Sequence, residues 1–270
     1  MRRPGLIATD LDGTLLGPDK QISARTRAAI RAAEEGGVPV VPVTARQLYG
    51  LDAWRDALGR WALCSNGAIC WDLHRGTVLF RQVLPAQVAR AFALALLDVA
   101  PGTVFLTIQD DGDRFASQAG YADLVTVADH NRDPATMPVL SLDEVLGGDC
   151  LKLVARHPNL PLADLEARAR GLGMDEVHLT TSGMPMLEVS AAGASKDTGL
   201  ALLCDRVGVR RQDVVAFGDG ANDVEMLRWA GTSYAMGNAV PAAVAAADRR
   251  AASNAEDGVA QVLEQLLERM

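Results

Sequence analysis

Short uncharged apolar runs alternate with longer helix-forming stretches along this chain, a pattern that predicts strands alternating with helices. Gly5-Leu6-Ile7-Ala8-Thr9 is an apolar run that stops abruptly at Asp10, which predicts a buried strand. Ser23 is placed to cap a helix over residues 24–35, and Gly36-Gly37 to stop it. Val38-Pro39-Val40-Val41-Pro42-Val43 predicts a second strand ending at Thr44, although its prolines weaken the pattern. A helix over about 46–58 then leads into the apolar Trp61-Ala62-Leu63-Cys64. Such βαβ units predict a parallel sheet covered on both faces.

From about Leu79 the pattern changes. A helix over 85–99 precedes a strand over 103–108, and the turn Asp110-Asp111-Gly112-Asp113 follows. Further strands are expected at 151–154, 176–180 and 186–189, with a helix over 160–172. Beyond Glu188 the first pattern returns: a helix from Lys196 to Val207, a buried strand Asp213-Val214-Val215-Ala216-Phe217, then a helix from Val224 to Trp229. A strand over 232–236 and two Ala- or Leu-rich helices finish the chain. The expected fold is α/β, with a doubly wound core from residues 1–82 and 188–270 and an inserted α+β domain over 83–187.

Composition narrows the function classes. Of 270 residues, 49% are hydrophobic and 22% charged, which suits a packed soluble protein. A net charge of -8 argues against a nucleic-acid partner, which requires a basic face. It does not exclude an anionic substrate, since a bound cation can reverse the local field. Cys64, Cys70, Cys150 and Cys204 form no CxxC pair, and the histidines lack zinc-ligand spacing, so the thiols are expected to be buried in a reducing compartment. The residues from Met1 onward are too sparsely apolar for a signal peptide, and Arg90 and Asp98 interrupt the most apolar stretch. A cytoplasmic protein without membrane contact is expected; oligomeric state leaves no signal in the sequence.

The informative segment is Asp10-Leu11-Asp12-Gly13-Thr14-Leu15-Leu16. Two carboxylates two residues apart just past a strand can face one cavity, and Gly13 permits the tight turn after them. Alone such a string is cheap, as the turn at Asp111-Gly112-Asp113 shows. Its company distinguishes it. Gly218-Asp219-Gly220-Ala221-Asn222-Asp223 sets two more carboxylates after another buried strand, Thr44 ends a third, and Lys196 opens a helix. These are the strand ends where open α/β sheets bind ligands. Four carboxylates there would repel one another without a cation, and a hard oxygen donor set favours Mg²⁺. The chemistry expected is phosphoryl transfer: Asp10 attacks phosphorus, Asp12 gives and takes protons, and Thr44, Lys196 and the metal stabilise the phosphoryl oxygens. Asp219 and Asp223 hold the metal, and Asn222 hydrogen-bonds within the site. Only three lysines occur, Lys20, Lys152 and Lys196, in an arginine-rich chain, and a compact ammonium suits a tight anionic cavity.

With these residues in order, the sequence resembles the haloacid dehalogenase superfamily of phosphatases, and within it the Cof-type group with an α/β cap of class IIB. Asp10 to Leu16 matches the first motif, Thr44 the second, Lys196 the third, and Gly218 to Asp223 the fourth. Weaker echoes are Ser65-Asn66-Gly67-Ala68, Ala235-Met236-Gly237-Asn238-Ala239 and Ser253-Asn254-Ala255-Glu256-Asp257-Gly258. The resemblance implies a Rossmann-like core, a cap that sets specificity, and a metal met by Asp10, the backbone carbonyl of Asp12 and Asp219, with Asp223 close by. Ala45 stands where glycine is usual after the threonine, and Asp197 where glycine is common after the lysine. Thr44, Ala45, Arg46, Asn66, Lys196 and Asn222 are the candidates for contact with the substrate, although Arg46 reads rather more as a support for its loop and Asn66-Gly67 equally as a turn. Asn238, Asn254 and Asp257 read as helix caps, and Lys152 as an exposed position on an alternating strand. A small-molecule phosphomonoester, sugar phosphates first, is the expected substrate. The alternatives are a phosphosugar mutase or phosphotransferase on the same fold, and a non-catalytic sugar-phosphate sensor.

Overall fold

A computed structural model describes residues 3–268; residues 1–2 and 269–270 of the expected core lie outside the described residues. The chain begins with β1 (Leu6–Thr9), α1 (Ala24–Glu35), β2 (Val40–Pro42), β3 (Trp61–Cys64), β4 (Ile69–Asp72) and β5 (Thr77–Arg81). Its middle forms α2 (Ala86–Val99), β6 (Val104–Gln109), β7 (Arg114–Gln118), α3 (Val127–His130), β8 (Val139–Leu140) and α4 (Leu142–Val145). There follow β9 (Lys152–Arg156), α5 (Leu162–Arg170), β10 (Val177–Thr180) and β11 (Leu187–Ala191). The last part forms α6 (Lys196–Val207), β12 (Val214–Gly218), α7 (Val224–Trp229), β13 (Thr232–Ala235), α8 (Pro241–Ala246), β14 (Arg249–Arg250) and α9 (Gly258–Leu267).

The residues divide into two compact units, one running to Phe80 and resuming at Ser195, the other spanning Arg81–Ala194. The cut expected after residue 187 falls inside β11. Antiparallel pairing with β9 and β10 keeps that strand in the inserted unit, so the chain crosses back later, after Ala194.

The first unit is built on a five-stranded parallel sheet in the order β14-β13-β12-β1-β2. From β1 the chain winds outward to β2 on one side and to β12 on the other. The carboxyl ends of β1 and β12 therefore flank the point where strand order reverses. Alternate residues serve opposite faces. Leu6, Ala8, Val41, Val214 and Ala216 join Leu200, Leu203, Met226 and Leu227 of α6 and α7 in one core. Toward the other face point Ile7, Val40 and Val215, on the side of α1, which packs against α9. Ser23 caps α1 by accepting from the Thr26 N–H, and Gly36 and left-handed Gly37 end it, as the sequence predicts.

The helix expected over 46–58 is a 3₁₀ segment over Leu48–Trp54 instead. Its would-be first turn is spent elsewhere. Arg46 gives its carbonyl to the Ser65 N–H, and Gln47 is extended, so an α-helix has no start. The short strands β4, β5, β7, β8 and β14 carry too little periodic signal to be read from sequence.

The inserted unit has a six-stranded mixed sheet, β10-β11-β9-β6-β7-β8. One face packs Phe105, Leu153, Ala155, Leu187 and Val189 against Phe92, Leu96 and Leu165 of α2 and α5. Asp110-Asp111-Gly112 is the connection between antiparallel β6 and β7, with both aspartates at positive φ. Lys152 is not exposed as expected. It is 3% exposed, and its Nζ donates to Glu188 Oε1 at 2.5 Å across the sheet, which is what makes a buried lysine tolerable there. Nearby, buried Tyr121 and His130 are joined through the phenol oxygen and Nε2 at 2.8 Å. Among the described residues no helix is long and apolar enough to cross a membrane.

Burial of the His130 ring, reinforced by the positive charge of Lys152, lowers its pKa from 6.5 to about 4. Between those values the unfolded chain binds a proton that the folded unit refuses, so the contribution of His130 to stability falls as pH falls. Chemical unfolding followed across this window is expected to show the stability of the wild type, taken relative to His130→Gln, falling as pH falls.

Candidate active site

β1 and β12 run side by side, and each is followed directly by an aspartate. Asp10 continues the ladder through its N–H to the Phe217 carbonyl, and Asp219 follows Gly218 at the end of β12. Lys196, the first residue of α6, is 1% exposed and reaches both carboxylates beside it. Its Nζ donates to Asp10 Oδ1 and to Asp223 Oδ1, each at 2.6 Å. Asp223 is fully buried, and its second oxygen accepts from the N–H groups of Asp219 at 2.9 Å and Gly220 at 2.8 Å. Asp219 Oδ1 accepts from the Thr14 hydroxyl at 2.7 Å.

A second chain of contacts carries the remaining candidates. Asn222 Nδ2 donates to Asn66 Oδ1 at 3.1 Å, and the Asn66 N–H donates to the Thr44 carbonyl at 2.8 Å. Thr44 Oγ1 accepts from the Arg46 N–H at 3.2 Å, which leaves its hydroxyl hydrogen to donate elsewhere. Half-buried Ala45 lies between them. The Arg46 guanidinium grips Asp12, from Nε to Oδ2 at 2.6 Å and from Nη2 to Oδ1 at 2.7 Å. Lys20 adds a third contact to Asp12 Oδ1 at 2.9 Å. All ten candidate site residues therefore lie in this one unit, nine of them linked by two runs of contacts and Ala45 set between Thr44 and Arg46.

Two glycines make the packing possible. Gly13 has φ +86, and a Cβ there would stand 2.3 Å from Asp219 Oδ2. Gly67, also at positive φ, presses on the start of α6, where a Cβ would meet the Ser195 carbonyl oxygen at 2.2 Å. The left-handed turn Ser65-Asn66-Gly67 thus abuts the helix end that carries Lys196.

Charge is out of balance here. One ammonium serves two carboxylates, with a third close by. The Asp10 pKa is pushed up to about 8, first by burial and then by Asp223 and Asp219, against the pull of Lys196. Burial also raises Asp219 to about 6, assisted by Asp223 and opposed by the Thr14 hydroxyl. Lys196 is itself raised, because the two carboxylates outweigh its burial. Asp12 goes the other way: burial would raise it, but hydrogen bonds from Arg46 and Lys20 carry it below the usual carboxylate range.

A divalent cation fits this imbalance. Oxygens of Asp10, Asp219 and Asp223 lie within 4.8 Å of one another, a hard donor set in a space that Gly13 keeps clear. The Asp12 carboxylate is turned to Arg46 and Lys20, so only its backbone carbonyl is left to join such a set.

A model of haloacid dehalogenase-like hydrolases matches residues 7–263. The chain belongs to that family. The pyridoxal phosphate phosphatase YbhA of Escherichia coli (strain K12) is 30% identical over 96% of this chain and 97% of its own length. The 5-amino-6-(5-phospho-D-ribitylamino)uracil phosphatase YitU of Bacillus subtilis (strain 168) is 29% identical, over 97% of each. Among solved structures, the subclass IIB sugar phosphatase BT4131 shares the fold, with a TM-score of 0.80 over 96% of this chain and 98% of its own at 22% identity. This haloacid dehalogenase-like enzyme is a phosphatase.

Several contacts around the site escaped the sequence. Lys20 reaches Asp12 from a turn in which it takes φ +60, a position with no periodic signal. Asn254 is not the cap expected of it, whereas Asn238 Oδ1 does accept from the Asn254 N–H at 3.1 Å where the last helical region begins. Asn238 Nδ2 donates to the Gly13 carbonyl and Asn254 Nδ2 to the Leu16 carbonyl, each at 2.8 Å, so both brace the loop after Asp10. Asp257 precedes α9 but makes no capping bond; it accepts from the Thr26 hydroxyl.

Removing the ammonium tests the charge account. Lys196→Met leaves Asp10 and Asp223 buried without a cation and is expected to cost about 3–5 kcal/mol at alkaline pH in chelator. A carboxylate with a raised folded pKa loses stability as pH rises past its unfolded value of 3.8 toward about 8, so the penalty should shrink in acid, where Asp10 holds a proton. Urea unfolding at both pH values measures the difference.

Proposed function

We propose that this phosphatase is a Mg²⁺-dependent phosphomonoester hydrolase acting on small phosphorylated metabolites through an aspartyl-phosphate on Asp10. The observation that carries this reading is the Lys196 bridge. It holds Asp10 at a strand end, in a fixed orientation, beside an ammonium that offsets negative charge.

In the first displacement an Asp10 carboxylate oxygen attacks phosphorus and the bond to the leaving oxygen breaks. Asp12 is assigned the proton that the leaving oxygen needs, which it can hold only after giving up the Arg46 and Lys20 contacts that keep it ionised here, and it then takes one from the water that opens the intermediate. Lys196 offsets charge on the attacked group, and the Thr44 hydroxyl donates to a phosphoryl oxygen. Asn222, held by Asn66, orients within the same cavity. Asp10, Asp219, Asp223 and the Asp12 carbonyl would hold Mg²⁺, which supplies Lewis-acid neutralisation of phosphoryl charge when bound.

The inserted unit is assigned the choice of substrate. Sugar phosphates are the first candidates, supported by BT4131, with pyridoxal phosphate and a phosphoribityl compound beside them, supported by YbhA and YitU. The four cysteines are all buried and form no disulfide, which supports a reducing cytoplasmic setting.

Purified enzyme given a panel of metabolite phosphates is expected to release phosphate only with Mg²⁺ present. Asp10→Asn should lower kcat by about a thousandfold or more, since losing a nucleophile removes the covalent route. Full activity in Asp10→Asn, or in excess chelator, would overturn the reading.

A further inference from the structure

Buried Asn66 stands among the candidates for substrate contact, and two of its bonds run to other candidates. Its N–H donates to the Thr44 carbonyl at 2.8 Å, and its Oδ1 accepts from Asn222 Nδ2 at 3.1 Å. Thr44 follows β2, Asn222 follows β12, and the sheet sets β1 between those two strands. Asn66 therefore spans the end of the strand that delivers Asp10. The turn that carries it is strained. Ser65, Asn66 and Gly67 have φ of 53, 55 and 88, three left-handed residues in a row, which is costly wherever a Cβ is present. The Ser65 N–H donates to the Arg46 carbonyl at 2.9 Å, and buried Gln47 donates from Nε2 to Ser65 Oγ at 3.1 Å. Such a conformation persists only where its surroundings over-determine it, and these bonds do so. Antiparallel β3 and β4 have relaxed ways to connect; this one places a particular side chain.

A primary amide carries two hydrogens in one plane, so giving one to Asn66 sets the direction of the other on Asn222. Gly220 leaves room for the opposite side of that amide, since a Cβ there would stand 2.7 Å from Asn222 Oδ1. On the basis of the aspartyl-phosphate reading, we infer that Asn66 is a positioning residue that acts through Asn222. It clasps the loops after β2 and β12 across the end of β1, so that the Thr44 hydroxyl and the second Asn222 hydrogen meet one phosphoryl group at Asp10 together. Asn66 exchanges no proton and touches no reacting atom. Donors held at a fixed spacing contribute most when charge spreads over the equatorial phosphoryl oxygens, in the transition state. Loss of the clasp therefore falls on kcat more than on KM.

Asn66→Gly separates positioning from folding, because glycine is at ease at positive φ, keeps the N–H to Thr44 and lacks the amide that holds Asn222. The variant is expected to melt within a few degrees of the wild type. With p-nitrophenyl phosphate, or the best metabolite phosphate of the panel, its kcat should fall about tenfold to a hundredfold while KM hardly moves, the scale of a misplaced contact. Asn222→Ala should lose at least as much. Because the two residues act as one, the double variant should lie within about threefold of Asn222→Ala, not at the product of the two losses. Multiplying losses would show that Asn66 works independently of Asn222 and overturn the inference. So would undiminished kcat in either single variant, a loss confined to KM, or collapse of the fold in Asn66→Gly. A wild-type enzyme that releases phosphate from no member of the panel would overturn the hydrolase reading itself, an outcome distinct from the others.

Discussion

One buried ammonium governs the electrostatics of this site. Lys196 is shared between Asp10 and Asp223 at 2.6 Å each, and Asp219 lies beside them. One positive charge cannot balance three carboxylates in a place from which water is largely excluded. The residual negative charge raises Asp10 and Asp219 and makes the cluster receptive to a cation. Once a cation is present, the same groups become receptive to a phosphoryl anion. In this account cation affinity and phosphate affinity have a common origin in a charge deficit that the fold maintains.

Maintaining it demands close backbone approach. The parallel sheet sets Asp10 and Asp219 at adjacent strand ends where the strand order reverses, and α6 brings Lys196 in from one side. Near these groups the chain uses glycine where a side chain would displace a functional atom, at Gly13 against Asp219 and at Gly67 against the start of α6. Two hydrogen bonds from Asn238 and Asn254 hold the carbonyls of the loop after Asp10. The inserted unit carries its own core and its own buried ion pair, Lys152 with Glu188, so it can vary without disturbing the charged cluster's own contacts.

The strand-end placement of Asp10, Thr44 and Asp219 was legible because each closes an uncharged apolar run, and the helix start at Lys196 because helix formers follow it. Less legible was everything set by side-chain direction. Nothing in the spacing of Asp12 and Arg46 says that the two form a fork, since they lie on separate loops that only the sheet brings together. Lys152 looked exposed because its partner, Glu188, is remote in sequence and adjacent only across the sheet. Asn254 looked like a cap, and Asn238 like a cap alone, because local sequence cannot show that their amides turn toward a loop more than two hundred residues away. Local periodicity carries the elements, while pairings between distant segments carry the electrostatics.

The covalent step at Asp10 is the centre of this account, and borohydride trapping addresses it most directly. Enzyme quenched with borohydride during turnover should contain homoserine at position 10, because the reagent reduces an acyl phosphate and leaves an ordinary carboxylate intact. Peptide mass spectrometry is predicted to find that change at Asp10 only when substrate and Mg²⁺ are both present. An unmodified Asp10 under turnover, or homoserine at another aspartate, would contradict it.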